Sequence, residues 1–283
     1  MAKAKKNTEP PYFMSATNNK MINYRVYRLN PAEALLFNTG MIIIGGLVGL
    51  VFYGGLFRTE EGAETFATFV SNIAVFAVAG LIARKVFVPS IVDMLKNRRI
   101  KKLKLQFRDF LGSLSNSLSG GMNVTSALEN SYKDLALQYS ENALIVAEIR
   151  EMIIGLNNNI PIEVTLKNFG TRSSIEDVEN FATVFEVAYR TGGNICDIIR
   201  RTTEVISEKM IVAEEIQTKL SSNRTQMKAM NVIPIFLILM MRSSSRDFDM
   251  AFGSVLGVVC MTVGVGFFVA AYKMGQKIMD IKG

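Results

Sequence analysis

The chain has 283 residues and a formal net charge of +7, and it is 49% hydrophobic and 20% charged. These values exclude an intrinsically disordered chain, which would carry fewer apolar residues and more charge. The chain contains no histidine, so it lacks the base of the classical hydrolase triads and the commonest zinc ligand. Cys196 and Cys260 have no metal-ligand spacing, and we expect neither a disulfide framework nor a metal site.

Four segments without Asp, Glu, Lys or Arg stand out along the chain. They are Ala34 to Phe57, Thr65 to Ala83, Ala229 to Met241 and Met250 to Tyr272. Three are long enough to cross a hydrocarbon core of about 30 Å, whereas the third rises only about 20 Å as a helix. A buried core helix is the alternative interpretation of this third segment. If it did not span, the last span would carry Lys273, Lys277 and Lys282 to the outer side, against the positive-inside rule.

The charges beside these segments predict the topology. Six Lys and Arg residues precede the first span against two Glu residues, and a dense basic cluster follows the second span. The cluster consists of Lys96, Arg98, Arg99, Lys101, Lys102 and Lys104. We interpret it as a membrane flank that touches anionic lipid, with contact to an acidic partner face as the alternative. Nucleic acid is not expected, because no aromatic residues interleave with the charges.

The sequence therefore predicts an all-α membrane protein in which two transmembrane hairpins flank a cytoplasmic antiparallel helical bundle. We expect four spans, with both termini in the cytoplasm. The predicted parts are a mostly irregular N-terminal tail (1–33), a first hairpin (34–88), a helical domain (89–228), a second hairpin (229–272) and a C-terminal tail (273–283).

The helical domain is long enough to bury its own core. An apolar stripe at spacings of three and four predicts its first helix, formed by Leu103, Phe107, Phe110, Leu111, Leu114 and Leu118. We expect this helix to stop at Gly120 and Gly121, because glycine readily adopts the left-handed conformation that closes a helix. The next helix is predicted to begin near Asn123 or Thr125.

Later breaks predict the remaining helices of the domain. Asparagines 157–159 end one helix, and Pro161 begins a short one through Leu166, because proline lacks the amide that would be unpaired there. The next helix is predicted to start at Ser173 or Ser174 and to stop at Gly192 and Gly193. A long helix then leads toward Leu220.

Two helix–glycine–helix hairpins in this domain resemble copies of each other. An offset of 71 residues superposes Phe110 on Phe181, Leu114 on Phe185, Leu118 on Tyr189, Gly121 on Gly192, and Asn123 on Asn194. Amphipathic hairpins share part of such a pattern in any case, so the repeat alone is a moderate signal.

The segment YRTGGNICDIIRRTTEVISEK (Tyr189 to Lys209) closely resembles the signature of the type II secretion system F domain family. FRDFLGSLSNSLSGGMNVTSALE (Phe107 to Glu129) and NIPIEVTLKNFG (Asn159 to Gly170) resemble that family in the same order. Two spans before one F domain and two after it are most similar to the platform proteins of Tad (Flp) pili. The third span departs from the family pattern, because it is short and carries Asn231 and Pro234.

The resemblance implies a scaffold without chemistry of its own. It implies a hexameric assembly ATPase, a second platform protein of the same family and pilin subunits as partners, together with membrane lipid, in a homo- or hetero-oligomer. Arg190, Arg200 and Arg201, beside the second glycine turn, are candidate partner contacts. A permease subunit of a transporter and a dimeric membrane signalling protein are the alternatives.

The motifs favour no enzyme and no cofactor. The glycine pairs could cradle a phosphate at a helix start, but the chain has no GxxxxGK[ST] motif, so we interpret them as helix turns. The four spans contain no charged residue of the kind that intramembrane proteases and ion-coupled transporters use. The pairs Gly45 and Gly49, and Gly253 and Gly257, have the spacing that lets membrane helices approach closely.

Overall fold

The structure is a computed structural model that describes residues 9–57, 65–191, 194–244, 251 and 254–279. Eight helices of ten or more residues are described in these ranges: α1 Pro31–Tyr53, α2 Phe66–Ser119, α3 Val124–Tyr139, α4 Leu144–Asn157, α5 Ile162–Ser173, α6 Glu176–Thr191, α7 Ile195–Ser244 and α8 Val255–Met279. Two short antiparallel strands, β1 Tyr12–Met14 and β2 Lys20–Ile22, precede them, with Phe13 opposite Met21. The prediction of an all-α fold is confirmed apart from these strands.

Contacts between Cα atoms divide the chain into two units. The helical unit comprises Met1–Arg28 and Val92–Val212, and the apolar unit comprises Leu29–Ile91 and Ala213–Gly283. Helices α2 and α7 each contribute residues to both units. Each unit is described separately below.

Aromatic side chains form the centre of the helical unit. Phe107 of α2 lies edge-on to Phe169 of α5 and Phe181 of α6, with ring centroids 6.1 and 5.7 Å apart. Phe110 and Phe185 extend the cluster, and all five rings are buried. Such rings bury 150–250 Å² each, so about 3–5 kcal/mol would be lost on truncating one to alanine. The predicted stripe on the first domain helix is therefore confirmed as core.

The helix ends follow the predicted breaks at most positions. Helix α2 ends at Ser119, Gly121 has a φ of 84°, and the Asn123 side chain accepts a hydrogen bond from the Ser126 amide at 2.8 Å. Helix α4 ends at Asn157, and α5 follows Pro161. Glycines 192 and 193, the predicted second turn, lie outside the described residues.

Helix α5 is longer than the sequence predicts. It continues beyond Leu166 to Ser173, because Phe169 is buried in the core and Gly170 lies against the main chain of Glu179 on α6. Ser174 then ends α5 with a φ of 59° instead of starting the next helix, which begins at Glu176.

Helices α2 and α7 are also longer than predicted, since both pass through an internal proline. Pro89 lies within α2 and Pro234 within α7. A proline removes one helical hydrogen bond, but the surrounding tertiary contacts can offset that loss. As a result, α2 contains both the second apolar segment and the first helical stretch of the domain. Helix α7 contains both the last helical stretch of the domain and the third apolar segment.

The N-terminal segment, residues 9–28, is not the irregular tail that the sequence suggests. It forms the β1–β2 hairpin and contributes Tyr24 to the hydrophobic core of the helical unit, where its side chain is 1% exposed. The main-chain amide of Tyr24 donates to the Arg172 carbonyl at 3.1 Å. Sequence periodicity cannot detect such contacts, because they join residues far apart in the chain.

Among the described residues, three helices are apolar and long enough to cross a membrane: Pro31–Tyr53, Phe66–Ser119 and Leu256–Gly275. The third predicted span corresponds to a shorter apolar helical segment, Val232–Ser244. Helices α1 and α2 pack closely, since a Cβ atom added at Gly45 or Gly49 would collide with Ala83 or Ala79. The predicted role of the first glycine pair in close helix packing is confirmed, whereas Gly253 of the second pair lies outside the described residues.

Candidate functional site

The two repeated hairpins contact each other where α2 ends and α7 begins. On each of these helices, that end is the one opposite the apolar segment. The Ser119 hydroxyl, just before Gly120, lies 3.3 Å from the Cys196 thiol on the first turn of α7. Asn194 caps α7 through a hydrogen bond from the Asp197 amide at 3.2 Å, as Asn123 caps α3. The two caps are 71 residues apart, which is the predicted offset of the repeat. Both hairpins therefore start their second helix in the same way.

A second contact joins α2, α6 and α7. The Asp177 carboxylate in the first turn of α6 accepts from Lys104 of α2 at 2.7 Å and from Lys209 of α7 at 2.8 Å. Burial raises the pKa of this carboxyl, but the hydrogen bonds from the two lysines outweigh burial and hold the pKa below its usual value. Asp177 is 8% exposed and stays ionised at neutral pH, so it holds two long helices against the start of a third.

The basic cluster of α2 is divided between the protein interior and its surface. Lys104 binds Asp177, and the Arg99 guanidinium lies 4.3 Å above the Tyr27 ring in a cation–π contact. Arg98, Lys101 and Lys102 are exposed, and Lys96 is partly exposed. Tyr27 belongs to the N-terminal segment, so the cluster also holds the chain just before α1. The sequence predicted a membrane flank that touches anionic lipid, or a contact with an acidic partner face, and neither interpretation includes these contacts within the chain.

The three candidate partner arginines are exposed and already paired with acids near them. Arg190 lies 3.2 Å from Glu186, Arg200 lies 2.8 Å from Asp197, and Arg201 lies 2.9 Å from the same aspartate. Exposed pairs of this kind contribute little stability, about 0–1 kcal/mol each. They leave a mixed surface of alternating charge beside the second turn.

Sequence reasoning missed a buried network that attaches the N-terminal segment. Glu148 of α4 accepts two hydrogen bonds from the Arg172 guanidinium, at 2.6 and 2.9 Å, and one from the Tyr24 hydroxyl at 2.9 Å. Arg172 also donates to the Ile22 carbonyl at 3.2 Å. Burial and the neighbouring Glu148 carboxylate raise the pKa of Tyr24 well above its usual value.

A neighbouring acid of α4 binds the loop of the β-hairpin. Glu151 accepts hydrogen bonds from Ser15, Thr17 and Asn19. Burial raises the pKa of Glu151, but these three donors outweigh burial and keep the pKa below its usual value. Glu148 lies within the apolar stripe Ile145, Ile149 and Met152, and an acid inside such a stripe is the signal that could have revealed the network.

A polar groove of about 670 Å³ lies between α2, α3 and α7. Gly112 is one of its lining residues, and several of the polar side chains that line it bond to one another. Ser113 donates to Asp134 at 2.8 Å, and Asn130 donates to Ser117 at 3.0 Å. Some of the polar side chains that line the groove are therefore already paired with one another.

No grouping of His, Cys, Asp and Glu among the described residues is arranged to hold a metal ion. No protein-family model, curated protein or solved structure matches the chain. The geometry supports one role in physical terms, which is to hold long helices and the N-terminal segment in fixed relation within the helical unit.

Proposed function

We propose that the protein is an inner-membrane platform of a Tad/Flp-type pilus or related secretion machine. In this role the helical unit lies in the cytoplasm and binds a hexameric assembly ATPase, while the apolar helices contact pilin subunits and a second platform protein. The chain spans the membrane four times with both termini in the cytoplasm. The F-domain resemblance of three segments motivates this proposal.

One observation carries the proposal furthest: α2 and α7 are each unbroken between the helical unit and an apolar segment. A continuous helix transmits displacement along its axis, whereas a flexible linker does not. The Lys104–Asp177–Lys209 contact joins both of these helices to α6. A force applied to the helical unit would therefore reach two spans together.

The paired hairpins give the partner a defined surface. The end of α2 lies beside the start of α7 through the contact of Ser119 with Cys196, and Arg190, Arg200 and Arg201 lie near the second turn in sequence. We assign the ATPase contact to this end of the unit, because it is farthest along both long helices from the apolar segments. The basic cluster lies on the part of α2 that is nearer the apolar segment, and there it contacts anionic lipid.

A helix-breaking substitution in α7 tests the coupling. Thr218→Pro lies between the last buried domain residue of α7, Met210, and the apolar segment from Val232. We expect cells carrying it to insert the protein normally but to assemble no fibres, as seen by electron microscopy, while the matched Thr218→Ala variant assembles them. Normal fibres in the proline variant would contradict transmission through α7.

A further inference from the structure

Polar contacts lie at two levels along the apolar helices, about 18 Å apart on α1 and α2. At one end, the Arg84 Nε of α2 donates to the Asn38 side chain of α1 at 2.8 Å. At the other end, Arg242 of α7 donates to main-chain carbonyls at the C-terminus of α1: Val51 at 2.7 Å and Gly54 at 2.6 Å. All of these residues belong to the apolar unit.

The Arg242 contact has a clear physical basis. The last carbonyls of a helix lack partners within it and carry partial negative charge, so a guanidinium that caps them is stabilising. The contact also sets the end of the short apolar segment of α7 level with the end of α1. In α2 the corresponding end is marked by Asn72, whose side chain accepts from the Gly55 amide at 2.9 Å.

The distance between these two polar levels is the same on α1 and α2, and the charged residues that flank the short apolar segment of α7 in sequence have a similar spacing. In α1 the levels lie at Asn38 and at Leu50, whose carbonyl also accepts a hydrogen bond from Arg242. In α2 they lie at Arg84 and Asn72. Each pair is twelve residues apart, which is about 18 Å at a helical rise of 1.5 Å per residue. Lys228 and Arg242 of α7 are fourteen residues apart, or about 21 Å. An ordinary hydrocarbon core is about 30 Å thick.

The two arginines are not free to reach outward from this belt. Long side chains at helix ends usually extend along the helix to place their charge in water. Here the Arg84 Nε donates to Asn38, and the Arg242 guanidinium donates to the carbonyls of Leu50, Val51 and Gly54, so both arginines have partners at these levels. The short segment of α7 is then no anomaly, because α1 and α2 have polar contacts at the same spacing.

We propose that the protein thins the bilayer around it, with acyl chains covering a belt of about 20 Å between the Arg84–Asn38 and Arg242 levels. Exposed apolar residues beyond Arg84 and Asn38, namely Leu35, Leu36, Val86 and Phe87, then lie among lipid headgroups. The inference rests on the spanning arrangement proposed above and extends it. A thin bilayer shortens the path along which a pilin segment leaves the lipid.

Depth measurement with single tryptophans tests this directly, since the chain contains no Trp. Leu36→Trp and Ile43→Trp place the probe on the same face of α1, seven residues or about 10 Å apart, and the native side chains are 67% and 53% exposed. Each full-length variant is reconstituted in dioleoyl phosphatidylcholine vesicles. Quenching is compared between a headgroup nitroxide lipid and a lipid brominated at mid-chain.

We expect the Leu36→Trp variant to emit at longer wavelength and to be quenched more strongly by the headgroup nitroxide. The Ile43→Trp control should be quenched more strongly by the mid-chain bromine. Stronger mid-chain quenching of both probes would overturn the thinning while leaving the spanning arrangement intact. Quenching of both only by aqueous acrylamide would overturn the spanning arrangement itself.

A second measurement does not depend on the probes. In vesicles of dimyristoleoyl, dioleoyl and dierucoyl phosphatidylcholine, the wild-type protein should have its highest thermal midpoint in the thinnest bilayer. The double variant Asn38→Leu/Arg84→Leu removes one polar level and should shift this optimum to longer acyl chains. A wild-type optimum in the thickest bilayer would contradict the proposal.

Discussion

The buried Arg172–Glu148 pair provides the sharpest test of how the helical unit is held together. Arg172 is 3% exposed and Glu148 1% exposed, and two hydrogen bonds join them. Arg172→Met keeps most of the side-chain length but leaves the Glu148 carboxylate buried without its counter-charge. An uncompensated buried charge of this kind costs about 3–5 kcal/mol.

The expected size of the effect follows from that value. For a unit of this size, 1 kcal/mol shifts the unfolding midpoint by about 2–4 °C, so we expect a fall of about 6–20 °C in Arg172→Met. The double variant Arg172→Met/Glu148→Gln removes both charges and should recover much of the loss, because no ion remains buried. Tyr24→Phe, which removes one hydrogen bond to Glu148, should cost about 1.5–3 kcal/mol.

Urea and thermal unfolding of the detergent-solubilised full chain, followed by circular dichroism, measure these differences. Hydrogen exchange at the Tyr24 amide, which is bonded to the Arg172 carbonyl, reports whether the N-terminal segment detaches first. The reasoning would be refuted if Arg172→Met and the double variant lost the same small amount of stability. In that case the pair would not hold the segment.

Three further predictions concern other contacts. Ionised Asp177 stabilises the folded state at pH values above its unfolded pKa of about 3.9, and this stabilisation is lost as the pH falls through its lowered folded pKa. The Asp177→Asn variant should therefore be less stable than wild type at pH 7. Its stability should also fall less steeply with decreasing pH in acid unfolding curves. Gly45→Ala should cost about 1–3 kcal/mol by forcing α1 from α2, whereas Gly40→Ala, with open space around it, should not lower the thermal midpoint. Asn123→Ala and Asn194→Ala should each cost about 0.5–2 kcal/mol in urea unfolding, and equal stability to wild type would contradict the capping role.

The helical turns could be predicted because their signals are local. Gly121 adopts a φ of 84°, which favours glycine, and Asn123 and Asn194 each cap the helix that follows them. The apolar stripe of α2 likewise depends only on spacing within one helix. Such features are encoded within a few residues, so a single sequence reveals them.

The N-terminal segment could not be predicted in this way. Ser15 reaches Glu151 across 136 positions, and Tyr24 reaches Glu148 across 124. No local pattern records such pairings, and the polar, proline-containing sequence favoured an irregular tail. The only available hint was an acid, Glu148, placed within an apolar stripe.

The full length of the two long helices was not predicted, because the apolar segments and the neighbouring domain helices were taken as separate elements. Pro89 and Pro234 favour helix breaks, yet α2 and α7 continue through them. The Lys104–Asp177–Lys209 contact was missed as well, because the basic cluster was interpreted as a membrane flank or a partner contact and not as a contact within the chain. Both omissions concern the junction on which the proposed coupling depends.

The identity of the proteins bound to this chain tests the central claim most directly. Full-length protein carrying an affinity tag is purified from membranes of its native host after mild cross-linking. The bound proteins are identified by mass spectrometry. The Thr218→Pro variant and an unrelated tagged membrane protein are the controls. The platform account predicts a hexameric secretion-type ATPase and pilin subunits with both wild type and variant, since the proline interrupts transmission and not binding. Recovery of an ABC-type ATPase, or of a second copy of this chain with neither ATPase nor pilin, would contradict it.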